Sequence, residues 1–316
     1  MSSVPVTAQT AGKAAARAAA RRQERLGRHD RPNRTGRAAR AASRRPGWVT
    51  YALLALALAI SIFPLYYTLV LGSSTQQEIS QRAIPQWLPD LSLFDRFATV
   101  ISATQINFWK ALTNSMIISV TASLSVVLFS TLAGFAFAKL RFAWRRGLLV
   151  FVIATMAVPT QLGVIPLYIL MTDLDWVGKL QAVIVPAMLC PFGVFWMTQY
   201  LSSALPYELV EAARVDGASM FRTFRSIALP AALPAAAMLF LFWFVMQWTM
   251  FFWPSIVLNS QNPTLPLVVQ SLQGQYFTDH SLVMAGIFLV TFPLLVIFAI
   301  VGKQLVAGIM TGAVKG

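Results

Sequence analysis

Charged residues are scarce in this sequence: Asp, Glu, Lys and Arg make up 11% of 316 residues, whereas hydrophobic residues make up 57%. Soluble domains carry about 25% charged residues, so the composition indicates a membrane protein. One cysteine, Cys190, excludes a disulfide within the chain, and two histidines, His29 and His280, leave too few ligands for a Cys- or His-based metal centre. No stretch fits the phosphate-binding pattern G-x-x-x-x-G-K-S/T, so we expect no ATP hydrolysis through such a loop. The sequence therefore predicts neither an enzyme nor a chain that holds a metal or cofactor.

Positive charge is concentrated at the start of the chain. Residues 1–46 hold twelve Lys and Arg and two acidic residues, and arginine recurs at every third position from Arg22 to Arg40. A period of three drifts around an α-helix, and a composition rich in Ala, Gly, Pro and Arg is typical of disorder, so we expect a disordered basic tail. Such a tail either reinforces the orientation of the chain or attracts anionic membrane lipid. It has no aromatic residue to stack on bases, which disfavours nucleic acid as a partner.

Long apolar runs dominate the rest of the chain. A helix needs about 20 mostly apolar residues to cross the bilayer core. The first five runs contain no charged residue, and the sixth contains only Lys303 near its end. The predicted fold is therefore all-α, with a six-helix transmembrane domain over residues 47–306 and a short tail over 307–316. The predicted spans are 48–71, 111–138, 147–171, 181–201, 231–258 and 283–305.

The segments between these runs differ in positive charge. With the N-terminus placed in the cytoplasm, the cytoplasmic segments hold 21 Lys and Arg, and the external segments hold 4. Without the basic tail the ratio is still 9 to 4. Cytoplasmic loops of membrane proteins are enriched in Lys and Arg, so both termini and the loops 139–146 and 202–230 are predicted to be cytoplasmic. The segments 72–110 and 259–282 are then external.

The predicted cytoplasmic loop 202–230 carries its own helix signals. Pro206 suits the first position of a helix, and Glu208 in the first turn complements the helix dipole. Gly217 can end that helix in the left-handed conformation, and Ser219 can cap a second helix. The loop is therefore predicted to form two short helices around a turn and to continue into the fifth span. Such a unit can pass the motion of a docked partner into the membrane.

The same loop contains a motif. Glu211-Ala212-Ala213, Gly217 and Ile227-Ala228-Leu229-Pro230 fit the pattern EAA, three residues, Gly, nine residues, I-x-L-P. Phe252-Trp253-Pro254 and the ending Gly308 to Gly316 are similar to parts of sugar permeases, although positions 309–311 depart from the usual ending. Over residues 48–316 the chain resembles the sugar-type permease subunits of binding-protein-dependent ABC importers, a class that includes the smaller permease of the maltose transporter.

This resemblance implies a heteromeric importer in the plasma membrane of a prokaryote. The implied partners are a second permease subunit, two ATPase subunits that use ATP and Mg, and an extracytoplasmic binding protein that delivers a sugar, here expected to be an oligosaccharide. The chain itself is expected to bind no cofactor. The residues implied to contact the ATPase lie in the 202–230 loop and at the C-terminus: Glu208, Glu211, Ala212, Ala213, Asp216 and Gly217, with Gly312, Val314 and Lys315.

Polar residues inside the predicted spans are candidates for the substrate pathway. They are Asn114, Gln161 and Gln247, with the neighbouring Trp248. Gln161 follows Pro159, which is expected to kink the third span. A sugar ring stacks on aromatic rings while its hydroxyl groups bond to amides, so Gln247 and Trp248 suit a sugar. The alternative is that these side chains only bond or pack between helices.

Two other functions stay open at this point. An importer of another solute, such as glycerol phosphate, shares the motif, but a phosphorylated solute favours a basic cavity, and Lys and Arg are nearly absent from the spans. A stand-alone secondary carrier or channel often needs acidic residues within the membrane or broken inverted repeats. Neither feature is visible in the sequence, which favours the importer.

Overall fold

The computed structural model of the chain describes residues 47–81, 87–103, 106–275 and 279–313, with only the backbone for Gln275 and residues 301–313. The basic tail 1–46 lies outside the described residues. The chain divides into two compact units, residues 1–62 and 63–316. The first unit therefore contributes only residues 47–62 to the described structure.

Every regular element in the described part of the chain is helical, which confirms the predicted all-α class. Besides the α-helices, the described part contains one 3-10 turn, Thr160–Gly163, and one π-helical segment, Phe224–Ala228. In chain order they are α1 Trp48–Ser73, α2 Gln76–Gln81, α3 Ser92–Ser102, α4 Phe108–Lys139, α5 Arg145–Thr155, α6 Val164–Asp173, α7 Gln181–Ala187, α8 Pro191–Ala204, α9 Tyr207–Val215, α10 Met220–Thr223, α11 Leu229–Trp248, α12 Phe252–Val257, α13 Leu265–Gln275 and α14 His280–Ala313.

The third predicted span is sharply bent. Five segments in the described part are long and apolar enough to cross a membrane, and a bent pair makes a sixth if it counts as one span. That pair is Arg145–Thr155 with Thr160–Asp173, and the bend between them is 87°. The predicted third span, 147–171, is therefore two helices in the structure, with a sharp bend between them. The kink expected from Pro159 is confirmed, because Pro159 is extended, with ψ 124°, at the point where the helix breaks.

The fourth predicted span, 181–201, is interrupted by a proline. Helix α7 stops at Ala187, and α8 begins at Pro191. The residue before a proline is pushed out of the helical region, and Cys190 is extended, with φ −140° and ψ 113°. Pro191 in turn suits the start of α8, where its missing N–H costs nothing.

The fifth and sixth predicted spans have different limits in the structure. A continuous helical segment runs from Met220 to Trp248, so the helix that contains the fifth span begins before residue 231 and ends before the predicted limit at residue 258. Helix α14 begins at His280 and continues to Ala313, beyond the expected end at residue 305. Its last turns thus occupy part of the segment that was predicted as a separate C-terminal tail.

Three long helices of the second unit, α4, α8 and α11, pack side by side and form a scaffold. A small residue makes the contact of α4 with α8 close, because a Cβ added to Gly134 would lie 2.6 Å from the Cβ of Met197. Gly193 of α8 likewise lies against Ser130 of α4. Close packing of this kind holds helices together in a membrane, where lipid is as apolar as a leucine side chain.

Short helices cover one end of this scaffold. Helices α3 and α13 pack with α4, α11 and α14 around an apolar core that includes Trp248. Asn114 Nδ2 of α4 donates to the carbonyl oxygen of Pro263 at 2.9 Å. The hydroxyl oxygen of Ser115 accepts the backbone N–H of Leu265 at 2.9 Å. These two bonds fix the position at which α13 begins.

An ion pair closes the same end. Arg96 Nη1 of α3 lies 3.0 Å from Asp279 Oδ2, which precedes α14. The other carboxylate oxygen of Asp279 accepts hydrogen bonds from the hydroxyl of Ser281 and the backbone N–H of Leu282. Burial raises the pKa of Asp279, but these hydrogen bonds and the charge of Arg96 outweigh burial and leave its pKa below the usual value.

The described part of the first unit is the beginning of α1. Its large apolar side chains are exposed within this chain, among them Trp48, Leu54 and Ile60. A helix that is apolar all round needs an apolar environment, such as lipid or other helices. This segment therefore has the surface of a membrane-spanning helix.

Candidate functional site

The loop 202–230 contains a helical hairpin, which is named here the hairpin and comprises residues 206–228. Its first helix, α9, begins directly after Pro206, whose φ of −58° and ψ of 143° place it just outside the helix. Glu208 lies in the first turn of α9 and Arg214 in the last, so both charges complement the helix dipole. The two short helices predicted for this loop are confirmed.

A glycine in the left-handed conformation ends α9. Gly217 has φ +74°, a value at which a side chain would be strained. Its N–H donates to the carbonyl oxygen of Arg214 at 3.1 Å, and the N–H of Ala218 donates to the carbonyl oxygen of Ala213 at 2.9 Å. These two bonds form a Schellman motif, which satisfies carbonyl groups at the end of the helix. The left-handed turn predicted at Gly217 is confirmed.

The second helix of the hairpin is continuous with the fifth span. The hydroxyl oxygen of Ser219 accepts the backbone N–H of Arg222 at 3.2 Å, so the predicted cap is present. Helix α10 then passes through the π-helical segment into α11. Pro230 cannot donate to the carbonyl four residues earlier, and its ring crowds that carbonyl, which explains the wider turn. At 1.5 Å per residue, the continuous segment of 29 residues is about 43 Å long.

An apolar cluster, the hairpin core, fastens the hairpin to the scaffold. Val210 of α9 and Phe224 of the π-helical segment are buried together with Phe135 of α4. The ring centroids of Phe135 and Phe224 lie 5.7 Å apart. A force on α9 therefore reaches all three scaffold helices. The remaining buried members of the hairpin core come from the end of α8, the π-helical segment and α11: Leu201, Leu205, Ala228 and Ala232.

The loop 139–146 also contacts the start of the 202–230 loop. Lys139 Nζ donates to the carbonyl oxygen of Ser202 at 3.2 Å. The guanidinium group of Arg141 lies 5.3 Å from the ring centroid of Tyr207, a cation–π contact worth about 0.5–1 kcal/mol at an exposed site. Both loops that were predicted to be cytoplasmic therefore lie at the same end of the scaffold.

The motif residues of the hairpin do not all face outward. Ala213 is only 8% exposed, so it does not share an exposed face with Ala212. The other predicted contact residues form an exposed, mostly acidic surface: Glu208, Glu211, Ala212, Asp216 and Gly217.

Two large apolar side chains stand beside this acidic surface. Val215 is 87% exposed and Phe221 is 70% exposed. Of the two phenylalanines in this part of the hairpin, Phe221 and Phe224, the structure buries only Phe224. Val215 was not selected from the sequence, although its position two residues before Gly217 was an available signal. Exposed apolar groups next to carboxylates indicate a surface made for a partner.

The structure separates the four predicted pathway residues. Asn114 is buried and holds the backbone of Pro263. Gln161 is exposed in the 3-10 turn at the bend of the third span. Gln247 is buried in α11, and only its neighbour Trp248 lines a cavity identified among the described residues.

The cavity beside Trp248 has a volume of about 580 Å³, which is within the range of small-molecule sites. It lies between the end of α11, helix α13 and helix α14. Among the described residues no charged side chain lines it. Its aromatic and polar lining consists of Trp248, Phe251, Thr249, Thr291, Gln270 and Gln273. Gln270 and Gln273 were missed from the sequence, because they lie in the predicted external segment 259–282, outside the predicted spans.

The C-terminal residues are described only in part. Gly312 lies in the last turn of α14. Val314 and Lys315 lie outside the described residues. Within the described part of the chain, no group of three or more His, Cys, Asp or Glu residues could hold a metal ion.

Several known proteins are similar to this chain in sequence. Residues 126–310 match the family described as the inner membrane component of binding-protein-dependent transport systems. The chain is 32% identical to the lactose transport system permease protein LacG of Rhizobium radiobacter, with 86% of this chain and 97% of the relative covered. It is 29% identical to the arabinooligosaccharides transport system permease protein AraQ of Halalkalibacterium halodurans, with 85% and 96% covered. It is also 28% identical to the sn-glycerol-3-phosphate transport system permease protein UgpE of Rhizobium meliloti, with 74% and 83% covered.

The fold is also similar to a solved structure. A chain of a bacterial ABC transporter involved in the import of the acidic polysaccharide alginate matches with a TM-score of 0.67 and 21% identity, over 81% of this chain and 94% of that chain. The matched family region includes the hairpin and most of α14. The resemblance carried by the EAA motif is thereby confirmed. The chain is a multi-pass membrane protein and belongs to the family of inner membrane components of binding-protein-dependent transport systems.

Proposed function

We propose that the chain is one of two permease subunits of an ATP-driven importer, and that its substrate is an oligosaccharide. Two relatives support this substrate class, because they are named for lactose and for arabinooligosaccharides. The family supports the mechanism class, because its members work in systems that depend on a binding protein. For the same reason, a stand-alone carrier or channel is not favoured.

The proposed complex contains a second permease, two ATPase subunits and an extracytoplasmic binding protein in the plasma membrane of a prokaryote. The excess of Lys and Arg in the tail and in the loops 139–146 and 202–230 supports a cytoplasmic position for the hairpin and for both termini. Because the chain has no phosphate-binding loop, the energy must come from the ATPase, which uses ATP and Mg. Gly312, Val314 and Lys315 are proposed to reach the ATPase pair from the C-terminus.

The hairpin is the observation that carries this proposal. Its exposed surface combines the carboxylates of Glu208 and Glu211 with the apolar side chains of Val215 and Phe221, and protein interfaces are built from apolar centres with polar rims. A partner that moves α9 acts on the scaffold through Val210 and the hairpin core, and on α11 through the continuous helix. Closure of the ATPase pair then shifts these helices together and changes the side of the membrane to which the pathway opens.

An importer of glycerol phosphate is the second candidate, because one relative is named for that solute. A phosphate group is usually bound by arginine or lysine, which make strong charge-assisted hydrogen bonds to it. Among the described residues, neither residue type lines the cavity beside Trp248. This difference favours an uncharged sugar.

Purification of the tagged chain from cells that produce the whole importer tests the proposed assembly. We expect the second permease and the ATPase to be recovered with it, and full transport by this chain alone would contradict the proposal. Glu211→Lys should then abolish the ATP hydrolysis that is stimulated by sugar-loaded binding protein, while the complex still assembles. Ser203→Lys is the matched control, because Ser203 is exposed at the same end but lies outside the hairpin. Unchanged stimulation in the Glu211→Lys complex would refute the docking role.

A further inference from the structure

The cavity beside Trp248 offers an open aromatic ring. Phe251 lies in its wall and is 40% exposed, so part of the ring is available to a ligand. The faces of a sugar ring that carry C–H groups pack well on an aromatic ring, while the hydroxyl groups point outward to the sides. An exposed phenylalanine in a cavity of this size therefore suits the apolar face of a sugar.

Two amide side chains belong to the same cavity. Gln270 and Gln273 are exposed and lie three residues apart on α13, so they share one face of that helix. An amide group both donates and accepts, as sugar hydroxyl groups do. The hydroxyl groups of Thr249 and Thr291 donate to carbonyl oxygens one turn back in their own helices, each at 2.8 Å, and so retain acceptor capacity for a ligand. The cavity thus presents donors and acceptors without charge.

One buried donor in the cavity wall has no partner. Trp248 is 2% exposed, and its indole Nε1 has no hydrogen-bond partner within the described part of the chain. The indole N–H can only donate, and leaving a buried donor unpaired is unfavourable. Its ring is held by Phe244, whose centroid lies 5.5 Å away in a stacked arrangement. The indole nitrogen is itself buried, so Trp248 contributes an aromatic wall to the cavity and no donor to a ligand.

The helix that carries the glutamines is positioned before any ligand arrives. Its start is held by Asn114, which donates to Pro263, and by Ser115, which accepts from Leu265. A site whose supporting hydrogen bonds are already made loses less ordering entropy when it binds. The predicted pathway residue Asn114 thereby acts as a positioning residue, away from the ligand itself.

The absence of charge in this lining decides the class of ligand. Transfer of an anion into an apolar wall without a paired cation is strongly unfavourable, whereas hydroxyl groups need only hydrogen-bond partners. The described lining supplies such partners from Gln270, Gln273 and the threonine hydroxyl groups and supplies no cation. The site therefore selects against phosphorylated and acidic solutes.

We infer that this cavity is a subsite for one neutral sugar ring of the transported oligosaccharide. Phe251 stacks on the ring, the indole ring of Trp248 packs in the wall beside it, and Gln270 with Gln273 binds the hydroxyl groups at the edge. The inference rests on the proposed function and adds to it both the residues and the neutral charge of the ligand.

Protection from chemical modification tests binding directly. In the complete importer, with Cys190→Ser and no other cysteine, Gln273→Cys is modified with N-ethylmaleimide in the presence of millimolar lactose or arabinotriose. We expect either sugar to slow the modification several-fold, and sn-glycerol 3-phosphate to have no effect. Leu174→Cys is the control, because Leu174 is exposed and does not line the cavity, so its modification rate should stay constant. Equal rates for Gln273→Cys with and without both sugars would overturn the subsite.

Transport kinetics give a second readout. Gln270→Leu and Gln273→Leu each remove one amide from an exposed position in the cavity lining. Loss of one hydrogen bond to the ligand weakens binding by about tenfold, so each variant should raise KM for uptake by about that factor with little change in kcat. An unchanged KM in both variants, in complexes that assemble normally, would contradict the subsite.

The two proposals fail in different ways. If the cavity variants transport normally while Glu211→Lys blocks stimulated ATP hydrolysis, the subsite is wrong and the importer function stands. If the complete complex transports no sugar of any kind, the proposed function itself is wrong.

Discussion

The backbone N–H of Ala218 donates to the carbonyl oxygen of Ala213 at 2.9 Å, across the turn formed by Gly217. This bond joins the end of α9 to the chain that leads into the fifth span. It can form because Gly217 has φ +74°, a backbone conformation that residues with a side chain rarely adopt. The geometry of the hairpin therefore depends on one residue without a side chain.

Substitution of Gly217 tests whether this geometry matters for coupling. The left-handed conformation costs roughly 1–2 kcal/mol for a residue with a side chain, and a β-branched residue tolerates it least. We expect Gly217→Val to lose most of the ATP hydrolysis that sugar-loaded binding protein stimulates. Gly217→Asn should retain most of it, because asparagine adopts this conformation more readily. Equal activity of the two complexes would show that the turn does not set the coupling.

Substitutions of Phe221 and Phe224 distinguish a role in docking from a role in packing. Phe224 is buried in the hairpin core, so Phe224→Ala should lower the free energy of unfolding by about 3–5 kcal/mol, measured by thermal or denaturant unfolding of the purified permease. Phe221 is exposed, so Phe221→Ala should leave the unfolding temperature unchanged and weaken the retention of the ATPase during purification. A drop in unfolding temperature for Phe221→Ala, or normal stability for Phe224→Ala, would contradict the placement of these rings.

The hairpin could be predicted from the sequence because its signals are local. Pro206, Gly217 and Ser219 act within one helical turn of their own position. Gly217 and Ser219 lie where their signals indicate, and Pro206 lies one residue before the predicted first helical position, at the N-cap. The burial of Ala213 and the exposure of Phe221 were not predicted, because they depend on how the hairpin packs on the scaffold. Helix α4 is distant in sequence, and its packing leaves no local pattern.

The prediction of the spans from the sequence has the same limit. Hydropathy located the apolar segments but not their breaks. A segment of about 20 apolar residues has the same hydropathy whether its helix is straight or bent. Pro159 indicated a kink, and the bend of 87° is set by packing that one residue does not encode. For the cavity, the sequence selected Gln247 beside Trp248, but the structure brings Gln270 and Gln273 from α13 to the same place.

Asn114 is expected to stabilise the start of α13 through its hydrogen bond to the backbone of Pro263. Asn114→Leu keeps a side chain of similar size but removes the N–H donor and leaves the carbonyl oxygen of Pro263 without its partner. An unpaired buried acceptor costs about 1–3 kcal/mol, so the unfolding temperature of the purified permease should fall clearly. Thr113→Val is the control, because the hydroxyl of Thr113 bonds only within its own helix and should be dispensable. No difference between the two variants would mean that the contact does not hold α13.

The ion pair of Arg96 with Asp279 predicts a specific dependence on pH. The pKa of Asp279 is lowered in the folded chain, so its contribution to stability is present above the unfolded value of about 3.9 and is lost as the pH falls through the folded value. Asp279→Asn lacks this contribution at every pH. The difference in unfolding temperature between the parent and this variant should therefore be constant from about pH 7 to 5 and shrink below about pH 4. A difference that grows on acidification would contradict the assignment.

The central claim is that the exposed surface of the hairpin docks on the ATPase, and cross-linking measures this most directly. Val215 is 87% exposed beside Gly217. Val215→Cys in an otherwise cysteine-free permease, labelled with a maleimide that carries a photoreactive group, should therefore cross-link to the ATPase subunit on illumination of membranes that contain the whole importer. Leu91→Cys, at an exposed position before α3 and near the opposite end of the scaffold, should form none. A cross-link from Val215→Cys to the ATPase, changed in yield by ATP, is the result predicted here. The absence of that cross-link, or its formation with the binding protein instead, would contradict the account.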